Sequence, residues 1–137
     1  MANELLLDTG PFVALVDRSE ARHDDCVAAL ESWTGVVITT EAVITETLYL
    51  VGPDWRAQKT CLEFLTRGAF QLVPSSQASL KRVSVLMDRY RNMPMDFADA
   101  TLVALGEETE TEWIFTLDRR GFSTFRMNRN RAFQIIP

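Results

Sequence analysis

Leu5-Leu6-Leu7-Asp8-Thr9-Gly10-Pro11-Phe12 is the stretch that decides the fold. Three consecutive leucines read as a strand buried on both faces, the pattern of a central parallel strand. The strand stops at Asp8. Thr9 and Gly10 turn the chain, and Pro11 suits the first position of a helix that continues through Phe12-Val13-Ala14-Leu15-Val16. Asp8 is therefore placed at the carboxyl end of a core strand, the edge at which open α/β sheets bind ligands. The plainer alternative is that Asp8 only caps the following helix.

Outward from this stretch, apolar runs and helical stripes alternate. A second helix is expected from about Ala21 to Trp33, with Cys26, Val27, Leu30 and Trp33 on one face. Val36-Val37-Ile38-Thr39 reads as the second strand. A third helix covers about Glu41 to Val51 and a fourth about Trp55 to Thr66, capped by Asp54. Phe70 to Val73 is a short third strand. A long helix follows, capped by Ser75 or Ser76 and reaching about Arg91, with Leu80, Val83, Met87 and Tyr90 as its apolar stripe. Asp96 and Asp99 open the next helix. Trp113 to Leu117 reads as the fourth strand, ended by Asp118, and Ala132 to Ile136 as the fifth. This alternation specifies a three-layer α/β/α domain with a five-stranded, mostly parallel sheet, spanning residues 1–137 as one unit.

Composition narrows the chemistry. The chain has 137 residues, 47% of them hydrophobic, and a formal net charge of −5. That charge is unevenly distributed. Every Asp and Glu lies at or before Asp118, whereas Arg119, Arg120, Arg126, Arg129 and Arg131 follow with no acid among them. A basic tail on an acidic body suggests a polyanionic partner near the tail, or only a solvated basic end. Cys26 and Cys61 fall in apolar helical patterns, as buried free thiols do in a reducing cytoplasm. His23 is the only histidine and no C-x-x-C pair occurs, which argues against zinc and against a Ser-His-Asp centre. No signal peptide or membrane span is expected.

Topology places the acids together. Asp8 and Asp118, each at a strand end, project from one edge of a parallel sheet. Asp99 lies in the first turn of the helix that leads to the fourth strand. Glu46 lies inside the third helix, where it could face outward or toward the strand ends. Each acid also has a local reading: Asp96 and Asp99 as a helix start favoured by the dipole, Glu46 as a solvated charge, Asp118 as a turn residue. Carboxylates crowded without a basic partner repel and call for a cation, and an all-oxygen set selects Mg²⁺ or Mn²⁺.

Four motifs in this order resemble the PIN domain: Leu6-Leu7-Asp8-Thr9-Gly10-Pro11, Val43-Ile44-Thr45-Glu46, Met95-Asp96-Phe97-Ala98-Asp99-Ala100 and Phe115-Thr116-Leu117-Asp118. They are similar above all to the ribonuclease toxins of VapBC-type toxin–antitoxin pairs. By position, Asp8, Glu46, Asp99 and Asp118 match that family's acidic quartet. Thr116 matches the hydroxyl residue before the fourth acid, Thr9 falls within the first motif, and Asp96 matches a frequent but less central acid. The resemblance implies a cytoplasmic, Mg²⁺- or Mn²⁺-dependent endoribonuclease that dimerises, acts on RNA and has a possible antitoxin partner. It makes Asp8 and Asp99 the primary metal ligands, with Glu46 and Asp118 completing the site directly or through water. The tail arginines, with Lys81 and Arg82 as weaker candidates, would hold phosphates. Three other readings stay open: a free-standing RNA-processing nuclease, a non-catalytic binding module, and an aspartic protease suggested by Leu7-Asp8-Thr9-Gly10. The helical periods contradict the last, because small proteases of that kind are all-β.

Overall fold

The computed structural model describes residues 3–137, and within them a five-stranded, wholly parallel sheet is flanked by helices. Its strands are β1 (Glu4–Leu7), β2 (Val36–Thr39), β3 (Phe70–Leu72), β4 (Trp113–Phe115) and β5 (Gln134–Ile136), in the spatial order β3-β2-β1-β4-β5. The helices are α1 (Thr9–Val16), α2 (His23–Ser32), α3 (Glu41–Leu50), α4 (Trp55–Thr66), α5 (Gln77–Arg89), α6 (Phe97–Thr109) and α7 (Arg119–Thr124).

The leucine run takes the central position because it can be covered on both faces. Leu5, Leu6 and Leu7 are completely buried, with β2 on one side and β4 on the other. Reversal of strand order occurs across β1, between the β1–β2 and β1–β4 pairs. The carboxyl ends of these strands form the crevice that doubly wound sheets use for ligands. Phe12 anchors α1 beneath this edge, with its ring edge-on to Phe70 at 5.1 Å and to Phe64 at 6.0 Å. His23 starts α2 and closes on α1, its Nδ1 lying 2.6 Å from the Ala14 carbonyl oxygen, so the single histidine has a structural partner far from the acids. Both cysteines are free and buried.

Several elements depart from the sequence expectation. β4 stops at Phe115, so Asp118 stands three residues beyond the strand and not at its end. The cause is Thr116: its hydroxyl takes the Asp118 N–H at 2.9 Å and bends the chain out of the sheet. That bend leads into α7, a helix where the local sequence reads as a turn. β5 is also shorter than expected, starting at Gln134, and α2 begins only at His23. The buried face of α5 is rotated from the expected stripe: Val83 and Leu86 are buried while Leu80 is 43% exposed. Ser79 turns inward on that helix because its hydroxyl closes a reciprocal cap with Ser76.

α6 is the most buried helix, with every residue from Ala98 to Gly106 inside. Gly106 lets it approach β1 and the tail: a Cβ there would lie 2.9 Å from the Thr111 carbonyl oxygen, 3.0 Å from the Met127 sulfur and 3.1 Å from a Leu6 methyl. Two effects compete in Gly106→Ala. Helix propensity favours alanine by about 1 kcal/mol, whereas overpacking costs about 1–3 kcal/mol. The closest atom is backbone and cannot swing away, so the variant should lose about 1 kcal/mol net, read as a lower urea midpoint with unchanged slope. A midpoint at or above wild type would show that the α6–β1 approach is looser than these distances say.

Candidate active site

At the carboxyl edge of β1 and β4, a chain of hydrogen bonds links the first and fourth of the four expected motifs. Asp8 leaves β1 with its backbone N–H still bonded to the Phe115 carbonyl at 3.0 Å, so its position is fixed by the sheet. Its side chain turns into α1, where one oxygen takes the Thr9 N–H at 2.8 Å. The other oxygen takes the Thr116 hydroxyl at 2.6 Å. Thr116 is fully buried and in turn receives the Asp118 N–H. One hydroxyl thus orients Asp8 and the turn that carries Asp118.

Asp99 reaches the same place from α6. Asp96 and Asp99 form a reciprocal cap: Asp96 Oδ1 takes the Asp99 N–H at 2.8 Å, and Asp99 Oδ2 takes the Asp96 N–H at 3.1 Å. Asp96 is exposed, but Asp99 is only 8% exposed and Asp8 only 7%. Neither makes an ion pair among the described residues. Burial is the main force on both. It pushes the Asp8 carboxyl up to about 6 against the opposing pull of the Thr116 and Thr9 hydrogen bonds, with the charges of Asp96 and Asp118 adding to the rise. It pushes Asp99 up to about 8, helped by the charges of Asp96 and Asp8. The two groups feel each other and lack the cation that would lower both.

The remaining acids stand further out. Asp118 is exposed, and its carboxylate caps α7 by taking the Gly121 N–H at 3.0 Å. Glu46 is half-buried on the side of α3 that faces the start of α6, in an open groove of about 460 Å³ with Asp96, Phe97 and Tyr49. It borders Asp96 and not the Asp8–Thr116 pair. Among the described residues, no three His, Cys, Asp or Glu side chains are gathered closely enough to enclose a metal ion. The Thr9 hydroxyl is buried beside Asp8 with no partner of its own.

A model of the PIN domain matches residues 5–126. This chain belongs to the PIN domain family. It is 29% identical to ribonuclease VapC26 of Mycobacterium tuberculosis over 137 residues, covering 97% of this chain and 100% of that protein. Its fold is similar to that of Mycobacterium tuberculosis VapC20, a sarcin-ricin loop cleaving toxin, with a TM-score of 0.75 at 20% identity over 80% of this chain and 86% of that one. It is also similar to a chain of Rickettsia felis VapBC2 bound to a DNA fragment from their promoter, with a TM-score of 0.69 at 10% identity over 98% and 99% of the two chains.

Within the PIN fold, the tail arginines do not act as one group. Arg119 donates to the Pro137 carbonyl, and Arg131 donates to the Asn128 side chain at 2.9 Å. Arg120 lies beside Asp118 in a pocket of about 240 Å³ walled by Met93, Pro94 and Phe125. Arg126 and Arg129 instead join Arg82, Arg89, which no sequence motif marks, and Tyr90, which the sequence places only in the apolar stripe of α5. Their grouping depends on α5 lying beside the 126–130 segment, which no local motif announces.

The buried acids make stability depend on pH. An unfolded aspartate ionises near pH 4, whereas Asp8 and Asp99 hold their protons to about 6 and about 8 when folded. Their contribution is therefore complete below about pH 4 and is lost as pH rises through those folded values. Metal-free protein should melt at a lower temperature at pH 8 than at pH 5. Asp99→Asn keeps an oxygen for the Asp96 N–H and removes one titration. It should melt higher than wild type at pH 8 and show a shallower pH dependence. A lower melting temperature with the wild-type slope would mean that Asp99 serves only as a helix-end charge, worth about 0.3–1 kcal/mol.

Thr116→Val tests the shared hydroxyl. It removes the donor to Asp8 and leaves the Asp118 N–H without its acceptor, a loss of about 1–3 kcal/mol. Thr116→Ser, which keeps the hydroxyl, should recover most of it. Equal stability of the Val and Ser variants in chemical denaturation would remove Thr116 from the site.

Proposed function

We propose that this chain is a metal-dependent endoribonuclease, the toxin of a type II toxin–antitoxin pair. The observation that carries the reading is the Asp8–Asp99 pair: two buried carboxylates with no cationic partner, at the ligand-binding edge of a PIN fold. The likeness to a VapC ribonuclease supports RNA as the substrate. The likeness to the VapBC2 structure supports an antitoxin partner. The α3–α4 junction leaves Tyr49, Leu50 and Trp55 exposed at 82%, 56% and 62%, an apolar surface that suits a partner chain or a second copy.

The residues fit a hard divalent cation. All the acids at this edge offer oxygen, and Asp8 and Asp99 are the two that share burial and charge. Two carboxylates suffice for Mg²⁺, which keeps several waters and takes other oxygens from substrate phosphate. The Thr9 hydroxyl, buried beside Asp8 without a partner, would add a further oxygen to such a site. Asp8 and Asp99 would hold the ion, with Asp118 and Glu46 acting from the rim through water. When bound, Mg²⁺ or Mn²⁺ supplies Lewis acidity, favouring ionisation of water and offsetting charge on the phosphate.

The chain's own part is orientation. Thr116 fixes the rotamer of Asp8 through a charge-assisted bond, and the Asp96 cap fixes that of Asp99. Asp118, exposed and held by the Gly121 N–H, would act from the rim as an acceptor of a proton. A nuclease can thus work without a histidine at its centre.

Asp8→Asn should abolish cleavage of single-stranded RNA while leaving the circular dichroism spectrum unchanged. Mn²⁺ should raise the melting temperature of wild type by an amount that grows with pH, since the ligands must lose their protons first, and should raise that of Asp99→Asn much less. EDTA-resistant cleavage, or full activity in Asp8→Asn, would refute the assignment.

A further inference from the structure

A second cavity lies apart from the four acids of the candidate site. It is a groove of about 670 Å³ between α5 and the 126–130 segment, lined by Arg82, Arg89, Tyr90, Arg126 and Arg129. We propose that it is a second RNA subsite, which holds phosphates of the strand flanking the bond presented to the acids. This rests on the ribonuclease reading and extends it to a surface on the far side of Tyr90 and Phe125 from Asp118.

Charge is the first reason. Of the four guanidiniums only Arg82 has a carboxylate partner, Glu107, in a two-pronged pair at 2.7 and 2.8 Å. Arg89, Arg126 and Arg129 make no ion pair among the described residues. Three cations without a carboxylate partner line one groove of a chain whose net charge is −5, Arg126 with its guanidinium on the Ser123 and Phe125 carbonyls and Arg89 and Arg129 turned to solvent. A polyanion is repelled by the rest of the surface and admitted here.

Backbone conformation is the second reason. Residues 128–131 form a tight turn in which Arg129 has φ 59°, ψ 24° and Asn130 has φ 57°, the left-handed region. Asparagine tolerates that region, but arginine has no local reason to occupy it. The turn is held by neighbours: Met127 and Arg131 pair across its base, and Glu107 takes the Asn128 N–H at 2.7 Å. Glu107 thus neutralises Arg82 and clamps the turn with one carboxylate. The outcome is an arginine held over the groove in a conformation that costs free energy, a pattern associated with ligand contacts.

Continuity is the third reason. Tyr90 lines the groove and packs edge-on against Phe125 at 5.2 Å. Its hydroxyl also takes the Arg126 N–H at 2.9 Å. Phe125 is the wall of the next pocket, which holds Asp118 and Arg120. A strand leaving the acid edge past Asp118 therefore meets Arg120 and then, across one aromatic pair, the groove. An acidic protein segment would be drawn by the same charges, but only a phosphodiester strand explains why the groove adjoins the edge that cleaves one. Planar guanidinium forks also match phosphate geometry.

The test is binding of fluorescent oligouridines of two lengths in EDTA, at a series of salt concentrations. Arg89→Gln combined with Arg129→Asn removes two charges while keeping a residue that accepts the left-handed turn. On the longer RNA the log–log salt slope should fall by about 1.4, at about 0.7 per lost phosphate contact on a single strand. The short RNA, which covers only the acid edge, should bind as to wild type. With Mg²⁺, kcat/KM on the longer RNA should fall and kcat on the short one should not. Arg67→Gln on α4, where the charge is paired with Glu63, should leave the slope unchanged. An unchanged slope in the double variant, with wild type still cleaving RNA, overturns the groove alone. Poly-glutamate that displaces the longer RNA from wild type, and is not bound by the double variant, assigns the groove to an acidic protein and overturns it too. Wild type that neither cleaves nor binds RNA overturns the ribonuclease reading and the groove with it.

Discussion

Two carboxylates are buried at the end of a hydrophobic sheet, and no arginine or lysine is paired with either. Most of the local structure around them follows from that constraint. A buried charge without a partner is among the most costly groups a small domain can carry. The chain lowers that cost in the ways open to it: a hydroxyl from Thr116 and an N–H from Thr9 on Asp8, an N–H from Asp96 on Asp99, and proton uptake near neutral pH. Of these only proton uptake removes the mutual repulsion, and it is lost as pH rises. Asparagine at 99 would keep the bond from the Asp96 N–H without the charge, whereas at 8, where both oxygens accept, it would keep only one of the two bonds. A cation of the kind proposed above would relieve the repulsion that remains.

The same acids are also helix caps. Asp8 begins α1, Asp96 and Asp99 begin α6, and Asp118 begins α7. Local and functional readings of each residue are therefore compatible. In a parallel sheet, every strand delivers the chain to the same edge, and a helix must start there. Capping preference puts aspartate at those starts. The helix starts thus bring carboxylates to one edge before any chemistry is specified, and burial of two of them turns an ordinary capping pattern into a reactive one.

Much of this was legible from residue order. The leucine run identified β1 because three consecutive leucines must be covered on both faces, and Asp8 followed from where the run stops. The Asp96–Asp99 spacing marked a helix start. What the sequence could not reveal lies in tertiary relations. The run Trp113-Ile114-Phe115-Thr116-Leu117 reads as one strand, yet strand pairing ends at Phe115 because the Thr116 hydroxyl takes the Asp118 N–H and turns the chain away. The stripe on α5 was misphased by one position, since the buried Ser79 that completes its cap is polar and carries no hydrophobic signal. Glu46 could be placed on α3 but not aimed: its direction depends on how α3 meets α6, and that is set partly by the Thr40–Thr101 hydroxyl pair at 2.9 Å. The tail arginines were visible as a charge block but not as separate roles.

That separation bears on how acids and arginines coexist in so small a domain. If the five tail arginines surrounded the carboxylates, they would pair with them, lower their pKa values and displace the cation. Instead, Arg119 is engaged by the chain terminus, Arg131 by Asn128 and Arg82 by Glu107. Arg120 alone lies beside an acid of the candidate site, and that acid, Asp118, is the exposed one, where solvent screens the pair. Arg89, Arg126 and Arg129 are kept beyond the Tyr90–Phe125 pair. Aromatic packing here does more than fill the core: it stands between a negative edge and a positive groove. Each can then keep its charge uncompensated until a ligand carrying the opposite charge arrives.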